Sequence, residues 1–410
     1  KVTQTFLQKH PFSGETVIRY AEPVEDLNPV TLEVKGLKDE IQDEFVKEMQ
    51  KILYDADFLY THAWESGDIV LADNFALLHG REAFKNPHQR YIQRINILPR
   101  PDKISLFRFL KNCFTIRRKE FFVAELPIFL IPIFLSIAAP NDFLNPSFLL
   151  GLIAIFLLFN IGDMINCYAD YELDAIYKSH LSNAVYELGK RNVLIQIALS
   201  GLLALGLTVW VAILSGRLYL IPITLFGTFV GLQYSIKPFK FKSGGISQLI
   251  CLWGIIFFGP MLYTAIISNG FPSAINLLLF AVYGFHQMGI IMLNTAEDYT
   301  EDMNAGLKTI IIVLGLHRAM RVAWWLVLGC GIALQIIFFA LLYQLQAPIW
   351  MLFSVLVFTF GWLKIIIDYR KIIGKISAMN EDEATKELKK NGMKVPEWLK
   401  IGAYTSLFVV

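Results

Sequence analysis

The sequence has few of the residues that mark a disulfide-stabilised or zinc-stabilised protein. Only four cysteines occur in 410 residues, and three of them, Cys167, Cys251 and Cys330, lie in or beside apolar segments. Their spacing indicates neither a disulfide framework nor a zinc site. The charge balance is also nearly even, with 37 Lys and Arg against 35 Asp and Glu, and no feature of the sequence indicates a nucleic-acid partner.

The chain also lacks an initiating methionine and any signal-peptide pattern. It begins at Lys1 and stops at Val410 inside an apolar run, so we expect that it is clipped at both ends. What it has in abundance is apolar residues, which make up 55% of the chain. That composition predicts an integral membrane protein with a soluble piece attached.

Apolar runs of about 20 residues, the length that a bilayer requires, dominate the chain after residue 104. We predict that residues 105–410 form an all-α membrane domain of about nine transmembrane helices, the ninth of them truncated. The runs lie near residues 120–139, 147–168, 192–214, 217–235, 246–267, 273–294, 317–343 and 347–367, and the ninth begins near Trp398.

The connections between these runs differ in charge from one side to the other. Lys and Arg crowd the segment before the first run and recur after runs two, four, six and eight, whereas the other connections hold almost none apart from Arg217. Basic connections stay on the cytoplasmic side of a membrane. We therefore expect the N-terminal domain and the polar motifs described next to be cytoplasmic.

Two copies of one short pattern directly follow two of the apolar runs. Residues 166–174 and 294–302 both read N-x-x-x-D-x-x-x-D. If each helix continues through the pattern, the spacing places Asn, Asp and Asp on one face, one turn apart. Such side chains suit Mg²⁺, which usually meets proteins through carboxylates together with substrate phosphates. Two copies at a membrane border predict a metal-held diphosphate rather than two solvated helix ends.

A third polar segment, from Tyr234 to Lys242, follows the fourth run and carries three lysines. Lysines beside a membrane are by themselves typical of anchors on the cytoplasmic side. Because these lysines fall on the same predicted side as both acidic patterns, we predict that they help to bind the diphosphate.

These three segments, in this order, resemble the UbiA superfamily of intramembrane prenyltransferases over essentially all of residues 105–410. The resemblance implies Mg²⁺-dependent transfer of a prenyl group from an isoprenyl diphosphate to an acceptor, commonly an aromatic ring. It implies that Mg²⁺ is held by six oxygen-bearing side chains, namely Asn166, Asp170, Asp174, Asn294, Asp298 and Asp302, of which the four Asp are also the catalytic residues. It implies that the diphosphate is bound by Lys178, Tyr234, Lys237, Lys240 and Lys308.

This chain departs from the usual UbiA pattern at a few positions. Many members have Asp where this sequence has Cys167, and many have Arg-Pro where it has Asn183 and Ala184. Lys240 replaces a common Arg, which changes the bidentate geometry but keeps the charge. These differences bear on the substrate more than on the reaction.

Residues 1–104 have the composition of a soluble α/β domain. Strand-like alternation occurs at 16–20 and 68–72, and helical spacing at 39–53. The run W-E-S-G-D at 64–68, followed by D-N-x-x-x-x-H-G-R at 73–81, resembles the C-terminal part of the taurine dioxygenase-like (TauD/TfdA) Fe(II)/2-oxoglutarate oxygenases, as does His10-Pro-Phe-Ser-Gly14. The resemblance implies a fragment of a double-stranded β-helix, or jelly roll. It implies an iron ligand at His79 and carboxylate-binding cations for 2-oxoglutarate or substrate at Arg90 and Arg94.

The oxygenase pattern is incomplete in this stretch. The other two iron ligands of that family come as His-x-Asp/Glu, and none of the four histidines here is followed two places later by an acid, namely His10, His62, His79 and His88. Either the missing pair lies upstream of Lys1 or the domain has lost its iron.

The chemistry expected of the membrane domain is ionisation of the allylic C–O bond inside an apolar chamber, with metal and lysines stabilising the departing diphosphate. Aromatic faces can shelter the resulting cation, and candidates are Trp210, Tyr219, Phe257, Phe258 and Tyr263. A terpene cyclase of the same fold shares every motif. A cation carrier or a membrane anchor for the oxygenase is the non-enzymatic alternative, and it leaves the lysines unexplained.

The two domains are joined by a short basic connection, from about Arg100 to Lys119. A short tether gives a high effective concentration of one domain near the other. The soluble part is similar to oxygenases that act on amino-acid-derived aromatic intermediates. We therefore expect one pathway, in which the oxygenase modifies the acceptor before prenylation or the product after it.

Overall fold

A computed structural model describes residues 5–10, 13–23, 32–35, 38–80, 104–119, 121–137, 139–304, 306–391 and 394–410. The chain divides into two compact units, Lys1–Asn96 and Ile97–Val410. The division into an oxygenase-like domain at 1–104 and a membrane domain at 105–410 remains a prediction. The boundary between compact units does not identify the type of domain on either side.

The first unit has little regular structure among its described residues. Strand β1 (Leu7–Lys9) pairs antiparallel with β2 (Thr16–Ile18), with Leu7 opposite Ile18, and helix α1 spans Asp39–Leu53. The predicted helix at 39–53 is confirmed. The prediction of a strand at 68–72 is wrong for this structure, because that segment pairs with no described strand and leaves Ile69 and Leu71 more than four-fifths exposed. The jelly roll is not confirmed.

The described part of the second unit is helical throughout. Its helices are α2 (Leu106–Thr115), α3 (Phe122–Ser136), α4 (Pro146–Ala169), α5 (Tyr171–Tyr177), α6 (Ser179–Leu188), α7 (Lys190–Ser215), α8 (Leu220–Ser235), α9 (Ile246–Leu252), α10 (Gly259–Asn269), α11 (Ala274–Glu297), α12 (Tyr299–Asn304), α13 (Ile310–Leu314), α14 (Leu316–Gln344), α15 (Leu352–Ile376), α16 (Glu381–Asn391) and α17 (Lys394–Val409). A π-helical turn, Trp253–Phe258, joins α9 to α10.

Six helical segments among the described residues are long and apolar enough to cross a membrane. They comprise α4, α7, the continuous α9–α10 segment, α11, α14, and α15 with the short turn before it. The predicted runs at 120–139 and 217–235 form the shorter apolar helices α3 and α8, and α3 contains two prolines. The unit is therefore an integral membrane domain, whereas the count of nine spans is not confirmed.

The helices that carry the two acidic patterns begin at side-chain caps and pack closely on their neighbours. Asn145 caps α4 by accepting from the Ser147 amide, and Ser273 caps α11 by accepting from the Asn276 amide. A Cβ at Gly289 of α11 would lie 2.6 Å from Val327 of α14. Small residues of this kind allow membrane helices to approach each other closely. This close approach holds α11, which carries the start of the second pattern, against α14.

Candidate active site

Both acidic patterns begin on a long helix and end on a short one. Asp170 is the C-cap residue of α4 and Asp298 that of α11, and the two share nearly the same backbone angles, with φ of −93° and ψ of 11° and 9°. The expectation of one helix continuing through each pattern is therefore corrected. The amide of Asp174 still bonds to the Asp170 carbonyl, and that of Asp302 to the Asp298 carbonyl, at 2.8 Å each. The four-residue stacking is thus preserved across the break.

One cavity of about 400 Å³ lies between these helices. Its mouth, defined here as the end at which α4, α8 and α11 terminate, is polar. Most of the predicted site residues line it, namely Asn166, Asp170, Asp174, Lys178, Tyr234, Asn294, Asp298 and Asp302. The deeper walls are mainly apolar and include Ile128, Ile155, Leu158, Phe159, Leu252, Ile256, Phe257 and Ile291.

Two lysines compensate the carboxylates at the mouth. Lys178 Nζ lies 3.2 Å from Asp298 Oδ2, which joins the first pattern to the second. Lys242 forms an ion pair with Asp170, and both side chains are less than one-fifth exposed. Each lysine therefore neutralises the middle Asp of one pattern.

Lys242 is the last of the three lysines in the Tyr234–Lys242 segment, but the residues implied by the UbiA resemblance included Lys237 and Lys240 and left Lys242 out. Of the lysines that were predicted, Lys237 and Lys308 are exposed, and neither they nor Lys240 line the cavity. The chain turns at Lys240, which has a left-handed backbone with φ of 44°. Which lysine of the segment reaches the mouth depends on this turn. The spacing of the lysines in the sequence does not predict the turn.

The lysine-bearing connection is attached to the segment that follows the second pattern. The Gly245 amide donates to the Lys308 carbonyl at 2.8 Å, and the Ile310 amide donates to Gln248 Oε1 at 2.9 Å. A side chain at Gly245 would have to adopt a φ of 60° and approach Val313 to 3.0 Å. The segment that follows Lys242 is therefore attached by hydrogen bonds to the segment after the second pattern, while Lys242 itself pairs with the first pattern.

The last Asp of each pattern lies in an environment that disfavours its ionised form. Burial, with a smaller effect of neighbouring Asp170, raises the pKa of Asp174. Burial, with a smaller effect of neighbouring Asp298, raises the pKa of Asp302 to about 6. Asp174 Oδ2 is also buried without a hydrogen-bond partner among the described residues. Concentrated carboxylates of this kind are typical of a site that receives a cation.

The chemistry of these side chains fits Mg²⁺, which prefers oxygen ligands. The four carboxylates and two amides of the two patterns line one cavity, and one of these carboxylate oxygens, Asp174 Oδ2, has no partner in the part of the chain that the structure describes. In the described part of the chain, however, no three His, Cys, Asp or Glu side chains are already gathered around one point as a metal site. Lys178 and Lys242 pair with two of the carboxylates, those of Asp298 and Asp170.

The aromatic candidates divide into two groups. Phe257 and Tyr263 line the cavity, and the Tyr263 hydroxyl is paired with Thr208 at 3.0 Å. Trp210 and Tyr219 are 60% and 39% exposed, so they face away from the chamber. Phe258 does not line the cavity and stacks on Trp253 with ring centroids 4.9 Å apart.

In the first unit the predicted iron site is not assembled. His79 is exposed, and Arg90 and Arg94 lie outside the described residues. His10, from the His-Pro-Phe-Ser-Gly run, bonds to Asp73 with its Nε2 3.0 Å from Oδ2. Among the described residues no group of three potential metal ligands occurs. The residues described here therefore do not fit an iron centre, and His79 as an iron ligand stays a prediction.

Curated relatives match the N-terminal part. Over 102 residues the chain is 41% identical to a 3-((Z)-2-isocyanoethenyl)-1H-indole synthase of Fischerella ambigua, covering 24% of this chain and 37% of that protein. Over 97 residues it is 35% identical to a tyrosine isonitrile desaturase of Erwinia amylovora, covering 22% of this chain and 33% of that protein. The chain thus spans about a third of the length of these relatives.

Solved structures resemble the membrane part. A UbiA homolog from Archaeoglobus fulgidus bound to GPP and Mg²⁺ is 15% identical, with a TM-score of 0.49 over 73% of this chain and 99% of that chain. A digeranylgeranylglyceryl phosphate synthase is 18% identical, with a TM-score of 0.48 over 72% of this chain and 98% of that chain.

Family profiles match both parts of the sequence. Residues 1–96 match the taurine catabolism dioxygenase TauD, TfdA family. Residues 126–374, which are more than half of the chain, match the UbiA prenyltransferase family. That match contains both acidic patterns and the lysine segment between them, so the chain belongs to the UbiA prenyltransferase family.

Proposed function

We propose that the membrane domain transfers a prenyl group from an allylic prenyl diphosphate to an aromatic acceptor, with Mg²⁺ as cofactor. The observation that carries this proposal is the pairing of two acidic patterns and two lysines at the mouth of one chamber whose deeper walls are apolar. The mouth suits a diphosphate, and the deeper walls suit a hydrocarbon tail.

In this proposal Mg²⁺ is held by oxygen atoms of the two patterns, named above, and supplies positive charge to the diphosphate oxygens. Lys178 and Lys242 exchange their carboxylate partners for phosphate oxygens, with charge-assisted hydrogen bonds to the leaving group. This exchange leaves the Asp oxygens available to the metal.

The reaction then follows from the environment of the tail. The C–O bond breaks, and the electron pair leaves with the diphosphate. The apolar walls exclude water, and the rings of Phe257 and Tyr263 favour the allylic cation through their π faces. A carbon or heteroatom of the acceptor forms the new bond to the cation, and the acceptor loses a proton.

The acceptor that we propose is an aromatic compound derived from an amino acid. The support is the likeness of the N-terminal part to proteins named for an isocyanoethenyl-indole and for tyrosine isonitrile. We propose that the N-terminal domain acts on the same compound, before or after prenylation. No step is assigned to iron or 2-oxoglutarate, because the described residues do not form a site for them.

We propose further that both patterns face the cytoplasm, as the basic connections predict. A cysteine-accessibility scan of residues 170–190 and 298–310 tests this orientation. Labelling from the cytoplasmic side supports it, and labelling from the opposite side contradicts it.

Product analysis tests the function itself. The purified chain is incubated with Mg²⁺ and dimethylallyl or geranyl diphosphate, with and without 3-((Z)-2-isocyanoethenyl)-1H-indole or a simple indole or phenol. We expect diphosphate release and a prenylated aromatic product that both depend on Mg²⁺. A cyclic hydrocarbon formed without acceptor would instead indicate a terpene cyclase. The absence of any diphosphate release would favour the cation carrier or anchor.

A further inference from the structure

Three polar side chains of the membrane helices lie in the cavity wall and lack the usual hydrogen bond to the helix backbone. Hydroxyls in these helices usually donate to the carbonyl four residues earlier, as do those of Ser215, Ser268, Thr295, Thr359, Thr405 and Ser406. Thr224 and Thr228 of α8 and Gln287 of α11 do not. The hydroxyls of Thr224 and Thr228 are buried with no hydrogen-bond partner among the described residues, and the buried Gln287 amide faces the Tyr283 hydroxyl and makes no other side-chain hydrogen bond there.

All three side chains line the chamber that holds the two acidic patterns. On α11 the cavity-lining residues Gln287, Ile291, Asn294 and Asp298 follow each other at intervals of four, three and four, which is one face of a helix. A rise of 1.5 Å per residue places Gln287 about 10 Å deeper than Asn294. Gln287 is 1% exposed, so its environment is the protein interior and the cavity.

The two threonines lie at a similar depth on a second wall. Helix α8 ends next to Tyr234, and Thr228 and Thr224 precede Tyr234 by six and ten residues. The same rise places them about 9 and 15 Å deeper than Tyr234. Below its mouth the chamber is therefore mainly apolar, with Asp163 one turn below Asn166 as an exception, and it is polar again at this second level.

Buried polar groups without partners are unfavourable, above all within a membrane, where no bulk water replaces the missing bonds. Their partners must come from what enters the chamber, such as water or a polar group of the acceptor. A hydrocarbon chain that passes this level removes those partners and supplies none. A short chain ends above this level and leaves the partners in place.

We propose that Thr224, Thr228 and Gln287 form a polar boundary across the prenyl chamber that restricts the donor to a short prenyl diphosphate. The inference rests on the proposed function. Because the chamber wall is polar at this level, the boundary favours binding of five-carbon and ten-carbon donors over the twenty-carbon donor.

The test measures the affinity of the purified full chain for three non-ionising donors in the presence of Mg²⁺, namely dimethylallyl, geranyl and geranylgeranyl S-thiolodiphosphate. We expect wild type to bind the geranylgeranyl compound no more tightly than the geranyl compound. In the double variant Thr228→Val and Gln287→Leu, the affinity for the geranylgeranyl compound should rise about tenfold. The affinity for the dimethylallyl compound should change less than twofold, which also shows that the variant is folded.

Thr264→Val is the matched control. Thr264 is fully buried and its hydroxyl also has no partner among the described residues, but it does not line the cavity. This variant should leave all three affinities unchanged. The inference is overturned if wild type binds more tightly with each added isoprene unit and the double variant behaves alike. If wild type binds none of the three compounds with Mg²⁺, the proposed function itself fails.

Discussion

The two acidic patterns have the same spacing and nearly the same backbone break, but different surroundings. The segment after Asp298 is attached to a separate helix, α16, by three side-chain contacts. Tyr299 Oη donates to Glu381 at 2.9 Å, Thr300 Oγ1 donates to Asp382 at 3.2 Å, and Glu301 pairs with Lys389. We call these three contacts the α16 clamp. The segment after Asp170 instead contacts the start of α7, since Lys190 Nζ lies 4.3 Å from the centre of the Tyr171 ring.

This difference indicates a division of roles between the patterns. The second pattern is held by the α16 clamp, and the segment that follows it is held by the Gly245 amide and the Gln248 side chain. It therefore provides a fixed wall. The first pattern is joined to that wall through the Lys178–Asp298 ion pair. Because charged contacts at the mouth exchange partners when a diphosphate binds, we expect the first pattern to move more than the second.

The largest effect is expected when the middle Asp of either pattern is removed. Asp170→Ala and Asp298→Ala should each reduce Mg²⁺-dependent diphosphate release by about a hundredfold or more, because each removes charge that positions the leaving group. Release of diphosphate from a prenyl donor is the measurement, with membrane insertion and yield recorded for each variant.

Glu172→Gln is the matched control for this pair of variants. Glu172 lies within the first pattern but is exposed and does not line the cavity, so its loss should have little effect. Retained turnover in both alanine variants would contradict the assignment of the patterns to the metal and diphosphate.

Much of this arrangement could be predicted from periodicity, because the apolar runs and the N-x-x-x-D-x-x-x-D spacing are local properties. The helix at 39–53 and the positions of α4, α11 and α14 follow in the same way. Lys242 could not be chosen over Lys237, because the choice depends on the backbone turn at Lys240. The α16 clamp was also unpredictable, since Glu301 and Lys389 are far apart in sequence and meet only through packing of the helices.

A second prediction concerns the lysine that joins the first pattern to the connection between α8 and α9. Lys242→Met should raise the KM for the prenyl diphosphate about tenfold or more, because a charge-assisted hydrogen bond to phosphate is lost. Lys237→Met should change KM little, since Lys237 is exposed and outside the cavity. Steady-state kinetics at saturating Mg²⁺ distinguish the two, and the reverse result would favour the lysines indicated by the sequence alone.

A smaller effect should follow from opening the α16 clamp. Lys389→Met combined with Thr300→Val removes two of its contacts without touching a predicted metal ligand. We expect faster amide exchange in residues 299–304 and a several-fold rise in the Mg²⁺ concentration needed for half-maximal activity, while kcat at saturating Mg²⁺ is retained. Lys390→Met is the control, because Lys390 is exposed and pairs, at 3.6 Å, with Glu387 of its own helix and not with the second pattern. If amide exchange in residues 299–304 is unchanged in the double variant, the α16 clamp does not hold the second pattern, and the expected difference in mobility between the two patterns is wrong.

The smallest effect is on the free energy of unfolding, and it concerns the last Asp of each pattern, Asp174 and Asp302. The pKa of Asp302 is raised to about 6 from a usual value of 3.8, chiefly by burial. Between these values the folded protein holds a proton that the unfolded chain has lost, so stability falls as pH rises through this window. Above pH 6 the penalty is complete and amounts to about 3 kcal/mol. Asp302→Asn removes it.

We therefore expect Asp302→Asn to raise the melting temperature of the detergent-solubilised protein at pH 7 in the absence of Mg²⁺, although the variant should be inactive. The gain should shrink as pH falls from 6 towards 4, because protonated Asp302 carries no charge to bury. Asp174→Asn should act in the same direction, since the pKa of Asp174 is also raised, whereas exposed Glu172→Gln should not. Saturating Mg²⁺ and diphosphate should reverse the order of wild type and Asp302→Asn, because only the carboxylate form gains stability from the ligands. If Asp302→Asn instead lowers the melting temperature in the absence of Mg²⁺, the Asp302 carboxylate stabilises the folded state, and the expected penalty for burying its charge is wrong.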